Sequence, residues 1–193
     1  MKQIWLMALS LIVAGGSGRA QTPAEQPLIF VADLRGQLVA PAAVDTTATA
    51  KATGVLVGNR FTVHGSFSGL SSPLRDLEKK PDDPGVHLHR GARGETTPYF
   101  HGLQVRLNAD GRSGIFFGTA TLTPDQLKRL LATETYVDIH TVKYEPGEVR
   151  DQWRALDAVA AAERKAALEQ ASPHPEHPLE TGSCHRRTTI ESP

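Results

Sequence analysis

Residues 49–68 read TAKATGVLVGNRFTVHGSFS, and this stretch decides the fold class of the chain. Apolar and polar side chains alternate through both halves, which is the period of a strand with one buried face. Gly58 and Asn59 stand between the halves, and such a pair favours a two-residue turn. The stretch therefore predicts an antiparallel hairpin.

The same alternation recurs and predicts about eight short strands in total. The further strands are expected at 28–35, 86–91, 99–107, 113–121, 135–141 and 148–153. One short helix is expected after Thr123, because this threonine can cap it, Pro124 suits its first position and Gln126 can complete a capping box. Short strands separated by turns, with one small helix, predict an all-β antiparallel sandwich or barrel.

Length and charge limit the classes of function. The chain has 193 residues, with 21 basic and 21 acidic side chains, so its formal net charge is zero. This length favours one domain with tails. No overall basic field favours nucleic acid as a partner.

The first 20 residues have the composition of a signal peptide. Lys2 supplies a positive charge, residues 4–14 form a short apolar run, and Gly18, Arg19 and Ala20 precede the expected cleavage point. The run is shorter than the ~20 residues of a spanning helix. We therefore expect an exported protein, periplasmic or secreted, with no membrane association after cleavage and a flexible lead-in at 21–27.

The C-terminal part has a different composition. Residues 154–171 are rich in alanine and predict a helix, which we expect to dock weakly because only Leu156, Val159 and Leu168 are large and apolar. Residues 172–193 contain four prolines and predict a disordered tail. Cys184 is the single cysteine, so no disulfide can form within the chain.

Histidines at strand spacing provide the candidate site. His87 and His89 are two residues apart on a predicted strand, so their side chains project from one face. His140 lies near the end of the predicted strand 135–141. Three neutral imidazoles suit copper or zinc, and His101 or water could supply a fourth ligand.

The same residues also fit a structural role. Strand histidines often hydrogen-bond to neighbouring backbone groups or carboxylates without a metal. Asp138, Glu148 and Arg150 are available for such a polar network, or as second-layer partners of a metal site. Both interpretations remain open at this point.

Several short motifs occur in an order that resembles the CHRD domain, the module named after chordin and present in bacterial exported proteins. They are Phe30-x-Ala32-x-Leu34-x-Gly36, Phe67-Ser68-Gly69-Leu70, His87-Leu88-His89-Arg90-Gly91, Leu122-Thr123-Pro124-x-Gln126-Leu127, Tyr136-Val137-Asp138-Ile139-His140-Thr141 and Pro146-Gly147-Glu148-Val149-Arg150. The resemblance covers residues 28–153. It implies an immunoglobulin-like β-sandwich, distantly similar to copper/zinc superoxide dismutases, in which a His-x-His strand and a later histidine bind copper.

Signals of catalysis are missing from the sequence. It has no Gly-x-Ser-x-Gly elbow and no glycine-rich phosphate loop. The paired cysteines and second histidine-aspartate cluster of the usual dismutases are also missing. The sequence therefore predicts an exported CHRD-domain protein that binds a copper-like ion and is not assigned as an enzyme. The alternative is a non-catalytic extracytoplasmic module that binds another protein or serves structure, and a dismutase-like redox enzyme ranks last.

Overall fold

The computed structural model describes residues 26–75 and 85–171. The strands are β1 Leu28–Arg35, β2 Thr49–Val57, β3 Arg60–Ser68, β4 Val86–Arg90, β5 Tyr99–Gly102, β6 Gln104–Leu107, β7 Gly114–Thr121, β8 Thr135–Ile139, β9 Val149–Gln152 and β10 Arg154–Ala155. The α-helices are α1 Pro124–Leu131 and α2 Ala158–Ala171, and a 3₁₀ turn spans Gly36–Leu38. The predicted signal peptide, most of the lead-in and the predicted disordered tail with Cys184 lie outside the described residues.

One antiparallel sheet forms the body of the protein. Its strands follow the order β5-β4-β8-β9-β1-β2-β3-β7-β6, and β10 pairs with β1. The two end strands, β5 and β6, are consecutive in the chain and are separated by Leu103 alone, so the sheet is nearly closed. The all-β antiparallel class is confirmed. The immunoglobulin-like sandwich stays a prediction, because the strand pairing runs through a single sheet.

The predicted hairpin at 49–68 is confirmed. Strands β2 and β3 pair without interruption from Thr49 opposite Ser68 to Val57 opposite Arg60. Gly58 occupies the turn with φ +58°, a conformation that glycine adopts without a steric penalty. The local signals of alternation and turn chemistry therefore determined both the strands and their register.

The predicted strand 99–107 is corrected to two strands. β5 pairs with β4, whereas β6 pairs with β7 at the other end of the sheet. Leu103 lies between them, buried in the core, and its backbone N–H donates to Val86 O at 2.9 Å. The break arises because the chain here passes from one end of the nearly closed sheet to the other.

Aromatic side chains fill the centre of the core. Phe61 meets Phe30 edge to face at 5.7 Å between ring centroids and Trp153 at 5.1 Å. All three side chains are fully buried. Such edge-to-face pairs contribute about 0.5–1.5 kcal/mol each beyond the burial of their area.

The helix α1 begins as the sequence predicts. Thr123 Oγ1 accepts from the backbone N–H of Gln126 at 3.3 Å, and Gln126 Oε1 accepts from the backbone N–H of Thr123 at 2.8 Å. This reciprocal capping satisfies two of the N–H groups that a helix start leaves open. Its apolar face, Leu127, Leu130 and Leu131, is buried as predicted.

The helix α2 docks through residues that its sequence pattern does not indicate. Of the thin apolar stripe, Leu156 and Val159 are 65% and 69% exposed, and Leu168 packs against the core. Ala161 and Arg164 are buried instead, and the Arg164 guanidinium donates to the carbonyls of Gln26 and Gly58. Among the described residues, no helix is long and apolar enough to span a membrane.

Candidate metal centre

The candidate site lies on one face of the neighbouring strands β4 and β8. His87 is opposite Asp138 and His89 is opposite Tyr136 in the pairing of these strands. Because alternate residues point to opposite faces, Leu88 enters the hydrophobic core while both histidines leave it. The strand alternation thus places the two histidines beside Asp138.

His140 joins this group just beyond the end of β8. Its backbone N–H donates to Gly85 O at 2.7 Å, which continues the pairing between the two segments. Its side chain lies two residues after Asp138 and therefore on the same face. His87, His89, Asp138 and His140 are all buried, with 1–6% of each residue exposed.

The four side chains bring metal-ligating atoms together. One such atom from each residue lies within 4.8 Å of the others. His89 Nε2 and His140 Nε2 are each 3.0 Å from Asp138 Oδ1, and His87 Nδ1 is 3.9 Å from the same oxygen. Ligands bound tetrahedrally at about 2.0–2.2 Å are separated by about 3.3–3.6 Å, so Asp138 Oδ1 has close to metal-site spacing from both Nε2 atoms and His87 Nδ1 lies roughly 0.5 Å beyond it.

Backbone carbonyls fix the tautomers of two histidines. His89 Nδ1 is 2.7 Å from Thr97 O, and His140 Nδ1 is 2.5 Å from Glu145 O. A carbonyl oxygen only accepts, so each Nδ1 carries a proton and donates it. In a neutral ring, Nε2 is then an acceptor. Metal-bound histidines typically have this outer hydrogen bond.

Three acceptor atoms therefore meet at one point. Asp138 Oδ1 and the Nε2 atoms of His89 and His140 are buried, and within the described residues none of them has a hydrogen bond of acceptable angle. Acceptor atoms that lie 3.0 Å apart without a proton between them repel, and a cation between or on them relieves this repulsion. That cation can be a metal ion or a proton.

The electrostatics of Asp138 and His140 favour such a cation. Burial raises the pKa of Asp138, but contacts with His140 and His89 outweigh it and hold this pKa well below its usual range. Burial lowers the pKa of His140, and the neighbouring Asp138 carboxylate outweighs that effect, so this pKa is raised. The cluster therefore retains an anionic carboxylate and attracts positive charge.

Aromatic stacking fixes the planes of the imidazoles. His87 stacks on Tyr99 with ring centroids 4.3 Å apart, and His89 stacks on Tyr136 at 4.4 Å. The Arg150 guanidinium carbon lies 3.4 Å from the Tyr136 centroid. Because both groups cannot occupy one face, Tyr136 is held between His89 and Arg150.

A cavity of about 210 Å³ opens over the cluster. Besides the four cluster residues, it is lined by Ala40, Arg75, Thr96, Thr97, Pro98, Tyr99, Tyr136, Pro146 and Arg150. The backbone N–H of Thr97 donates to Tyr136 Oη at 3.2 Å, which anchors the loop that forms one wall. The cavity gives a small molecule access to the cluster.

His101 is not part of the cluster. It is opposite Leu88 in the pairing of β4 and β5, so its side chain lies on the face opposite to His87 and His89. The structure instead brings Asp138 to ligand distance, a residue predicted only as an outer partner. Its signal in the sequence is the Asp138-x-His140 spacing, which repeats the His87-x-His89 spacing.

Glu148 and Arg150, the other two expected partners, have separate positions. Glu148 Oε1 accepts from Thr46 Oγ1 at 2.7 Å and from the Ser71 backbone N–H at 2.9 Å, so it joins two loops away from the cluster. Arg150 is opposite Asp138 in the pairing of β8 and β9 and lines the cavity.

Comparison with known proteins yields a family. Searches of curated proteins and of solved structures return no match. The family model described as the CHRD domain matches residues 30–153, from β1 to the core residue Trp153, and this range includes all four cluster residues. Since the match covers well over half of the chain, the protein belongs to the CHRD domain family.

Proposed function

We propose that this CHRD-domain protein is exported and binds one divalent, copper-like ion through His87, His89, Asp138 and His140. The observation that carries the proposal is that buried Asp138 Oδ1 lies 3.0 Å from two buried acceptor nitrogens, Nε2 of His89 and of His140, with no aligned hydrogen bond to either. The carbonyls of Thr97 and Glu145 hold the ring protons on the far side. The lone pairs are thereby directed at one point.

The donor set suits copper first and zinc second. Imidazole nitrogens and one carboxylate are ligands that both ions accept, and copper(II) binds such sites more tightly than zinc(II). When bound, such an ion supplies positive charge next to the cavity. The protein residues orient the ligands and restrict access to molecules that fit the cavity.

Export is part of this proposal and is supported by the sequence. Residues 1–20 have the positive start, short apolar run and small residues of a signal peptide. An extracytoplasmic protein meets copper and zinc without the thiol buffers of the cytosol.

A structural module is the second candidate function, and one observation favours it. The lowered pKa of Asp138 and the raised pKa of His140 are also those of a carboxylate paired with a protonated imidazole. In that case the cluster joins β4 to β8 without a metal, and the protein acts as a non-catalytic extracytoplasmic module.

Copper titration distinguishes the two. A background variant with His174, His177, Cys184 and His185 replaced avoids weak binding by residues outside the described structure. We expect one equivalent of copper(II) by calorimetry, with nitrogen coupling in the EPR spectrum. The matched control His64→Gln removes an exposed histidine on β3 and should bind equally well.

The decisive variant carries His87→Ala, His89→Ala and His140→Ala together. We expect it to lose the copper equivalent and the nitrogen coupling. Unchanged copper binding in this variant would exclude the site. Failure of the parent protein to bind copper or zinc, with a melting temperature unaffected by either ion, would favour the structural module.

A further inference from the structure

We infer that Arg150 tunes the oxidation state of the bound ion: its buried charge, held against Tyr136, makes the cluster favour copper(I) over copper(II). The inference rests on the proposed function, because it concerns an ion held by the same four ligands. It goes beyond that function by assigning a role in metal binding to a residue that is not itself a ligand.

Three neighbouring strands build a column of side chains beside the ligands. His89 on β4 is opposite Tyr136 on β8, and Tyr136 is opposite Gln152 on β9, two residues after Arg150. The His89 and Tyr136 rings are parallel to within 8°, with centroids 4.4 Å apart, and the guanidinium carbon of Arg150 lies 3.4 Å from the Tyr136 centroid. The tyrosine ring thus has a metal ligand on one face and a cation on the other.

The ring holds the guanidinium more closely than hydrogen bonds do. Arg150 Nη2 lies 3.4 Å from both Ala92 O and Gln152 Oε1, beyond the usual N–H···O range of about 2.7–3.2 Å. A cation over the face of an aromatic ring is attracted by its quadrupole, and the planar guanidinium stacks well there. Tyr136 is itself fixed, since its Oη accepts from the Thr97 N–H at 3.2 Å. The fold therefore sets the position of this charge.

No ion pair neutralises the charge of Arg150 within the described part of the chain. Its contacts there are the Tyr136 ring and two neutral oxygens. Asp138 is opposite Arg150 in the pairing of β8 and β9, but its Oδ1 lies against His89 and His140. Because arginine stays protonated at ordinary pH, a full positive charge remains beside the cluster.

This charge is close enough to act on a bound ion. The two ring contacts place the guanidinium carbon within about 8 Å of the His89 ring, and about 8–10 Å from an ion on Nε2. Arg150, Tyr136 and His89 are buried, so little water screens the interaction. A positive charge repels copper(II) twice as strongly as it repels copper(I). With an effective dielectric constant of about 20, the difference favours copper(I) by about tenfold or more.

Electrochemistry of the copper-loaded full chain, in the same background variant, tests the inference. Arg150→Met removes the charge and keeps a long side chain to pack on Tyr136. We expect it to bind one copper with a ratio of copper(I) to copper(II) affinity reduced by about tenfold or more, which lowers the midpoint potential by about 59 mV or more. Arg150→Lys keeps a positive charge and should stay closer to the parent than to Arg150→Met.

A structural role of Arg150 predicts a different result. Loss of packing alone would weaken the binding of both oxidation states and leave their ratio near that of the parent. Competition with a copper(I) chelator gives the copper(I) affinity, and calorimetry gives the copper(II) affinity. The ratio of these two affinities should fall together with the midpoint potential.

The control is Arg60→Met, which removes an exposed arginine on β3 and should leave the midpoint potential unchanged. If Arg150→Met fails to fold, Arg150→Gln provides the uncharged comparison. Absence of copper binding by the parent protein would overturn both the metal site and the tuning. Copper that binds with one midpoint potential in the parent and in the uncharged variant would overturn the tuning alone. An equal fall in potential in Arg150→Lys or in Arg60→Met would do the same.

Discussion

Replacement of Asp138 by asparagine separates the two candidate functions most sharply. The variant Asp138→Asn keeps the shape of a buried side chain that contacts His89 and His140 at 3.0 Å and removes only its charge. For a metal site, loss of the anionic ligand should weaken copper binding by at least about 100-fold, beyond the 10–100-fold typical of outer partners.

The effect on thermal stability follows from this change in affinity. At a copper concentration of about 100 times Kd, the parent protein gains about 2.7 kcal/mol, which corresponds to a rise in Tm of about 5–10 °C for a domain of this size. With affinity reduced 100-fold, the same concentration equals Kd in the variant and contributes about 0.4 kcal/mol. We therefore expect a Tm rise of about 1–2 °C at most in Asp138→Asn.

The metal-free proteins give an independent comparison. In a site built for a metal, the asparagine N–H can donate to one Nε2 and relieve the contact between acceptors, so the loss of stability should stay below about 1 kcal/mol. In a structural module, removal of the carboxylate leaves a protonated imidazole buried without its partner and costs about 3–5 kcal/mol.

Urea unfolding after chelator treatment, followed by melting with and without copper, measures both effects. Unfolding of the metal-free proteins is best measured at about pH 6, below the ordinary pKa of histidine, because at higher pH an imidazole without its carboxylate would release its proton. Melting with copper is best measured at about pH 8, where protons compete least with the metal. A loss of about 3 kcal/mol or more in the metal-free variant, with no copper dependence of Tm in either protein, would refute the metal site.

Three further predictions concern the fold. Burial lowers the pKa of His101, so the unfolded chain binds a proton at this histidine more readily than the folded protein, and the parent protein loses stability as the pH falls below about 6.5. His101→Gln removes this loss, so its urea midpoint should improve relative to that of the parent on acidification. A difference between the two midpoints that stays constant with pH would contradict the prediction. Leu103→Ala should reduce the free energy of unfolding by about 2–5 kcal/mol in the same assay, and a loss below about 1 kcal/mol would argue against its anchoring role. Thr123→Ala should lower stability by about 0.5–2 kcal/mol through loss of the cap, whereas Thr119→Ala, on the exposed face of β7, should change it little.

Local signals predicted those parts of the fold that local chemistry determines. The hairpin at 49–68 needs only alternation and a turn, and the start of α1 needs only Thr123 and Gln126. The division of 99–107 depends on which strands lie at the two ends of the sheet, which no window of sequence contains. The docking of α2 through Arg164 depends on carbonyls of Gln26 and Gly58, more than 100 residues away.

The sequence predicted part of the candidate site, again because a local pattern, the spacing of residues along a strand, determined that part. Spacing on strands indicates which side chains share a face, so it selected His87 and His89 and could have selected Asp138 with His140. It does not indicate which strands are neighbours, so His101 remained a candidate although it faces the other way. The carbonyls that fix the tautomers, at Thr97 and Glu145, have no sequence signal because every residue has a carbonyl group.

The geometry of the cluster depends on the register in which β4 and β8 pair. On β4, Leu88 packs into the hydrophobic core while His87 and His89 face the cavity, and β8 repeats this division with Val137 in the core and Asp138 in the cluster. A slip of one residue would bury the ligands in the core and expose the apolar side chains, so the core specifies the register strongly. Packing of the core thus fixes the register, and the register brings the metal-ligating atoms of the cluster together. The cluster can therefore assemble without a bound ion, since three of its residues lie on β4 and β8 and His140 follows directly after β8.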